Sequence, residues 1–461
     1  MSGASQPTLR KFYWLKRILA ACALLVLLLI AIRLAWGWEM QRRLDRTVAE
    51  IEATGDPIHF EDMQPSDIRA EGNKIHWLME AEATFPRING ETVGESSWTY
   101  RFDEGVADPV QDDRAYLRNC QEAFQLLDRM KQAAHAIPLG KKTRSPAIRS
   151  GAGSHLGISR NVARTLEDAA NRAVREGDQE LAWRCIERIF DVRDAVEQAE
   201  PLSAIDLLVA ISIEALGRNA LQEMIGSLDF SRPEAARLIP RLIRPGRRHE
   251  SYSRVLKAER WMLHDELMAI HEGRSRRIAS FDEPSALGRA VVHGPLLMAF
   301  HEQSLSAMTT FDRVVQQDHS WCDIREALVS NKVVVRHRQA SLLYPQGYIS
   351  AYPIFAGHFH RGESGANLAG LALAVKAFQA DHGRYPESLD ALVPDYIEAI
   401  PTDPSSPDQK SLRYRPQGTD PIDSWGAPRH RRALKGLRRP LLYSVGENGV
   451  DDGGVWTVDG D

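Results

Sequence analysis

The sequence predicts an α-rich, α+β protein: an N-terminal transmembrane helix, an irregular, repeat-like α-helical domain, and a C-terminal helix carrying a small antiparallel sheet. Three observations carry this reading. An unbroken apolar run covers Ile18–Ile32, and apolar residues recur at helical spacing from Tyr116 to His271. After Gly365 the pattern changes to one alanine-rich helix followed by short β-type runs punctuated by Pro and Gly.

A chain of 461 residues exceeds what one small core can organise, so two or three domains are expected. Apolar residues make up 43% and charged residues 26% of a chain with formal net charge −4, so the composition folds and no global positive field recruits nucleic acid. Cys22 lies in the apolar run. Cys120, Cys185 and Cys322 lack metal-ligand spacing and read as packed thiols, with room for one disulfide. The predicted organisation is a short tail (1–15), an anchor (16–38), a stalk and irregular segment (39–114), an α-helical domain (115–361) and a C-terminal α+β module (362–461).

Lys16–Trp38 is the predicted anchor. As a helix, Ile18–Ile32 alone reaches about 22 Å against a hydrocarbon core of about 30 Å, so the span has to take in Arg33 and continue through Trp38. Arg33 can carry its guanidinium to the interface on a long stem, while Trp36 and Trp38 suit the aromatic belt. A cleaved signal peptide is the competing reading, because Arg10, Lys11, Lys16 and Arg17 precede the run; the lack of a small-x-small cleavage site favours the anchor. Arg33, Arg42, Arg43 and Arg46 balance those charges on the other flank, so counting them does not set orientation. From Glu39 to Ala53 the sequence stays helix-compatible and reads as a solvated stalk.

Within 39–114 a short helix is expected at Asn73–Ala83 and a strand at Ser97–Phe102. Beyond Asp112, the residues Tyr116, Cys120, Phe124, Leu127 and Met130 form one helical stripe. Ile137–Gly157, rich in Gly, Ser, Pro and basic residues, reads as an exposed linker. Ser159–Glu176 and Gln179–Ala199, separated by Glu176-Gly177-Asp178, read as a helical hairpin with small residues at its seam. Leu202–Leu228 is more apolar and is expected to be the buried helix that the hairpin covers, with Ile205 among its core residues. Ser231-Arg232-Pro233-Glu234 supplies an N-cap and N1 proline for the next helix, and the pattern continues helical through Tyr252–His271. No strict repeat period is present.

The C-terminal segment runs from the helix Ala366–Asp381 into His382-Gly383-Arg384-Tyr385-Pro386. Leu389, Leu392, Tyr396, a Pro401–Pro404 turn, a strand at Leu412–Arg415 and a second at Pro440–Val445 follow, ending in Gly446-Glu447-Asn448-Gly449-Val450-Asp451-Asp452-Gly453-Gly454. The combination G-R-Y-P, D-P, Y-S-x-G-x-[ND]-G and D-D-G-G resembles the C-terminal half of the major pseudopilin of type II secretion, over roughly the last fifth of the chain. That resemblance implies a helix packed on a small antiparallel sheet, an exported head that binds other proteins, and association with a secretion-type assembly. It also implies an inner-membrane protein with its N-terminus inside and its bulk extracytoplasmic. Calcium in the closing loop is a further implication, with Asn448, Asp451, Asp452 and Asp459 as ligands. An acidic, glycine-rich loop can converge the oxygens that Ca²⁺ takes, although the same Asn-Gly and Asp-Gly steps serve a plain hairpin. The chain departs from the family at its start: Lys11–Lys16 lacks the glycine and glutamate of pilin processing, so filament assembly is not implied.

Elsewhere the chemistry is sparse. The basic run with Arg429, Arg431, Arg432, Lys435, Arg438 and Arg439 suits an acidic partner or anionic lipid headgroups, or else is a solvated loop. His358 and His360, with Glu363 nearby, would need a loop to converge on a metal, and His264 and His271 lack the spacing of zinc proteases. Gly151-Ala152-Gly153-Ser154-His155 sets Ser beside His in what reads as linker. There is no G-x-S-x-G, phosphate loop or dinucleotide fingerprint. The favoured reading is a membrane-anchored, exported structural or interaction protein; the alternative is an exported hydrolase or solute-binding protein whose helical domain is the working part.

Overall fold

The structure, a computed structural model, describes residues 9–56, 69–88, 91–92, 112–137, 154–224, 232–245, 247–272, 295–317, 320–321, 323–324, 326, 352–417, 440–446, 449–451 and 453. Among these residues lie eleven α-helices: α1 (Leu9–Ala53), α2 (Lys74–Thr84), α3 (Asp113–Asn119), α4 (Gln121–Gln132), α5 (Ser154–Arg175), α6 (Gln179–Glu197), α7 (Ala204–Met224), α8 (Arg232–Leu242), α9 (Arg247–His271), α10 (Pro295–Val315) and α11 (Tyr352–His382). Two short antiparallel pairs accompany them. β1 (Arg87–Ile88) pairs with β2 (Glu91–Thr92), and β3 (Arg413–Arg415) pairs with β4 (Leu441–Tyr443), placing Tyr414 opposite Leu442.

Polar side chains start the helices where unsatisfied N–H groups need an acceptor. Asn73 accepts from Ile75 N at the head of α2, Asp112 from Ala115 N at α3, and Asp178 from Leu181 N at α6. At α7, Ser203 and Asp206 form a reciprocal capping box: Ser203 N donates to Asp206 Oδ2 at 2.8 Å and Asp206 N to Ser203 Oγ at 3.2 Å. Gly177, at φ +76°, takes the left-handed conformation that closes α5 and lets the chain reverse into α6. The stripe Tyr116, Cys120, Phe124, Leu127 and Met130 is buried throughout. Cys120 and Cys185 are buried free thiols, and burial pushes both up to about 12.

α1 is long and apolar enough to cross a membrane, and its large apolar side chains from Leu15 to Trp38 are exposed. Its polar continuation is not the solvated stalk the sequence suggested. Met40, Leu44 and Ile51 are buried, and Leu44 and Ile51 join Leu305 of α10 in a small cluster of their own. α1 therefore passes without a break from its apolar stretch into a packed contact with the body.

That body has two apolar clusters. The first unites α2 to α8 with Ala366–Phe378 of α11, Leu389, Leu392, Ile397 and Leu412. The second joins Leu202 and Leu207 to α9, α10, Trp321, Ala356 and Phe359. Among the described residues only α7 and α11 contribute to both, so these two helices tie the halves together.

Several expectations change here. α11 begins at Tyr352 rather than Ala366, and the boundary read at 361/362 falls inside it; the helix that opens the C-terminal segment shares its core with α7 and α8. α5 begins at Ser154, so Ser154–Gly157 is helix and not linker. Ile205 is 53% exposed, because α7 turns that face away from both clusters. The strand expected at Ser97–Phe102 lies outside the described residues.

Glycines set how closely α11 approaches its neighbours. A Cβ at Gly362 would meet Ile211 at 2.9 Å and one at Gly370 would meet Ile243 at 2.5 Å, both shorter than side chains tolerate. Gly157, on α5, has nothing within 4 Å of its virtual Cβ. Opposite outcomes are expected in denaturant unfolding of the full chain: Gly370→Ala loses about 1–3 kcal/mol to overpacking, whereas Gly157→Ala gains about 0.5–1 kcal/mol of helix propensity.

Candidate functional site

The C-terminal motifs converge on one buried carboxylate. Asp403, 1% exposed, accepts from Ser444 Oγ at 2.7 Å and Ser405 N at 3.0 Å on Oδ1, and from Val445 N at 2.8 Å on Oδ2. The D-P turn is thereby fastened to the Y-S-x-G strand exit. Ser405 Oγ is also hydrogen-bonded to Nε2 of His360 on α11, and Trp321 N donates to Pro404 O at 3.2 Å. Tyr414 of β3 donates its hydroxyl to Pro386 O at 2.9 Å, which fixes the G-R-Y-P exit, and Gly383 closes α11 at φ +68°. Ser405 and His360 have the partners of a nucleophile and base, yet both are buried. Asp403 sits on the serine side, where it cannot orient the imidazole as a triad acid would.

Asp451 lies in the closing loop, where Gly453 N donates to its Oδ1 at 3.0 Å, Arg413 Nε to its Oδ2 at 3.0 Å, and the Tyr443 hydroxyl to Oδ1 at 3.1 Å. The Gly453 amide first, then the Arg413 guanidinium, hold its pKa below the usual carboxylate range. Asn448, Asp452 and Asp459 lie outside the described residues, as do Arg429, Arg431, Arg432, Lys435, Arg438 and Arg439. The Arg413 guanidinium and the Gly453 amide thus engage both oxygens of the Asp451 carboxylate.

His358 and His360 lie on α11 rather than in a loop, and they diverge: His358 is exposed, while His360 points into the Ser405 network. Glu363 accepts from Trp321 Nε1 at 2.6 Å, and burial pushes its pKa up. His155 is buried on α5 with Nε2 3.1 Å from Asp206 Oδ1, so the capping-box aspartate of α7 also holds the start of the hairpin. Among the described residues, no three His, Cys, Asp or Glu side chains are arranged to hold a metal.

Sequence reasoning missed His301. It lies on α10, 0% exposed, with Nε2 2.9 Å from His264 Nδ1 and its ring stacked on His271 at 5.9 Å between centroids. The seven-residue spacing of His264 and His271 on one face of α9 was the available signal, but nothing local assigned them a third partner. Burial first, then the two neighbouring imidazoles, lower the His301 pKa well below 6.5.

A cleft of about 420 Å³ opens between α9 and the α6–α7 connection. Arg254, Lys257 and Trp261 line it from α9, facing Gln198, Glu200 and Leu202. Arg254 closes the end of α6, donating from Nη1 to Glu197 O at 3.2 Å and from Nη2 to Ala199 O at 3.0 Å. Lys257 Nζ sits 3.1 Å from Asp56, just beyond α1, and Asp56 is also held by Arg260 at 2.7 Å. The cleft thus adjoins the point where α1 ends.

With this geometry in place, comparison with known proteins returned no matching family model, curated protein or solved structure.

The histidine cluster has a measurable consequence. A histidine whose folded pKa is depressed binds fewer protons in the native than in the unfolded state just below pH 6.5, so stability falls as pH falls through that window. Denaturant midpoints between about pH 7 and pH 5 should decline steeply in the wild type and less steeply in His301→Gln, which removes the titrating ring.

Proposed function

We propose that the chain is a membrane-anchored, extracytoplasmic structural or interaction protein, its short N-terminus inside and its C-terminal head related to pseudopilin heads of a secretion-type assembly. The observation that carries the reading is the closure of the motif pieces on one another. Asp403 of D-P takes the Ser444 hydroxyl and Val445 amide of Y-S-x-G, and Pro386 of G-R-Y-P takes the Tyr414 hydroxyl. Residues far apart in sequence thus act as one unit, with a helix laid against a two-stranded antiparallel sheet.

The anchor gives this head a fixed carriage. Counting from Trp38 to Ala53 at 1.5 Å per residue, α1 continues about 22 Å past its apolar stretch while docked on α10. A rigid standoff of that kind suits a part that presents a surface at set height above a bilayer. The basic run at Arg429–Arg439 belongs to the same proposal as the contact for an acidic partner or lipid headgroups.

Chemical cross-linking of the full-length protein in native membranes, followed by affinity recovery, tests the assignment. Recovery of secretion-machinery subunits is expected, and their absence from every cross-linked species would remove it. Calcium is a separate part of the proposal, since the ion must first displace Arg413 from Asp451. If Asn448, Asp451, Asp452 and Asp459 do bind it, the melting midpoint of the full chain rises with calcium and returns with chelator; an unchanged midpoint excludes the site.

A further inference from the structure

We infer that the seam between α9 and α10 is an acid-opened joint: proton uptake by His301 parts the two helices at the end nearest the apolar stretch of α1, while their far ends stay tied. The inference does not rest on the pseudopilin-like reading, and the two can fail separately.

Two contacts fix how the helices lie. His264 meets His301, and Ser253 Oγ is hydrogen-bonded to Asp312, so α9 and α10 run antiparallel. Ser253 to His264 on one helix and His301 to Asp312 on the other each span about 16 Å. α10 starts beside the end of the apolar stretch of α1, with Pro295 Cγ 3.5 Å from a virtual Cβ at Gly37, so the imidazole contact lies at that end.

A proton on His301 is poorly received there. Its Nε2 is committed to His264 Nδ1 at 2.9 Å, and its buried Nδ1 has no partner among the described residues. An imidazolium carries a hydrogen on both nitrogens, so charging the ring leaves a charged N–H at Nδ1 without an acceptor. The titratable groups that act on it from α9 are His264 and the stacked His271, and both oppose its charge. From α1, Arg43 acts on the neighbouring Glu302 rather than on His301. Burial first, then the two imidazoles, keep His301 neutral in the closed seam, and access to water restores an ordinary pKa of about 6.5. Opening therefore takes up a proton, and its equilibrium constant rises about tenfold per pH unit below that value. Glu302 has the opposite sign: burial raises its carboxyl against the pull of Arg43, so its protonation favours the closed state as pH falls.

The far end does not share this response. Asp56 takes Lys257 at 3.1 Å and Arg260 at 2.7 Å from α9, and Arg260 also donates to Thr309 Oγ1 of α10 at 3.3 Å. Burial would raise the Asp56 carboxyl, but Arg260 and Lys257 outweigh it and hold it below its ordinary 3.8, so this tie stays charged where His301 titrates. Because Leu305 of α10 packs on Leu44 and Ile51, α1 moves with α10, and the body swings against that pair about the tied end.

Thiol labelling of the full-length protein in lipid nanodiscs tests the joint. In a Cys22→Ser/Cys322→Ser background, Leu297→Cys reports the imidazole end and Val315→Cys the tied end, both positions being buried in the second apolar cluster. Native Cys120, in the first cluster, reports unfolding of the whole chain. The probe is 4,4′-dithiodipyridine, each rate being divided by that of the denatured chain at the same pH. Labelling at Leu297→Cys is expected to rise about tenfold per pH unit between about pH 6 and pH 5, and at pH 5 to exceed the other two sites at least about tenfold. His301→Gln should reduce the rise to less than about twofold per pH unit whatever its rate at pH 7.5, and Glu302→Gln should retain it. A flat wild-type profile, equal labelling at all three sites, or an undiminished rise in His301→Gln would overturn the inference.

Discussion

Four helices meet over a buried set of opposite charges, and the packing of the body depends on that set being complete. Arg193 and Glu197 of α6, Glu214 of α7 and Arg248 of α9 are each almost fully removed from solvent, with Glu363 of α11 at the edge. Arg193 pairs with Glu214, and Arg248 reaches the same Glu214 oxygen at 2.7 Å. Glu197 is approached by Arg247 at 3.0 Å and by Arg248 at 3.5 Å, and it accepts from Ser251 Oγ at 2.9 Å. Burial alone would push the Glu197 carboxyl up; Arg248, Arg247 and Arg193 together outweigh it and hold the pKa below its ordinary value. Ion pairs of this kind add little net stability over an apolar core, but removing one partner strands a charge and costs about 3–5 kcal/mol. Their effect is therefore on arrangement: only one relative placement of α6, α7 and α9 satisfies all of them.

The second constraint is steric. α11 runs past this charged junction with glycines at the approach points, and the Arg218 guanidinium of α7 lies where a Gly365 side chain would begin. Because α11 contributes Phe359 to one apolar cluster and Ala366–Phe378 to the other, its position is fixed at both ends. His360, from the same helix, then reaches the Ser405 turn. The C-terminal turn network is consequently referenced to the charged junction, and through α9 and α10 to α1. α1, the helical body and the C-terminal turns form one continuous packed path.

Local signals were legible wherever the physics was local. The Glu176-Gly177-Asp178 reversal and the apolar stripe from Tyr116 to Met130 are i to i+4 phenomena, and the structure places them as their spacing requires. The start of α11 was missed because Tyr352–Gly365 includes a proline, glycines and polar residues of weak helix propensity, which tertiary contacts override. His155 read as linker because its partner, Asp206, is 51 positions away. The cleft was not visible at all. Its walls come from α9 and from the connection between α6 and α7, and no short window contains both.

By itself the sequence determined a membrane-length apolar helix, the helical character of the body and the short strands at its end, because hydrophobic period, capping and turn chemistry act within a few residues. Only the tertiary structure decided that the polar end of α1 is buried on α10, that α11 belongs to two cores, and that Asp403, Ser444 and Val445 share one carboxylate. It likewise decided which histidine completes the buried cluster. Those outcomes turn on which of many chemically similar residues meet at long range, and that choice is made by the simultaneous packing of helices.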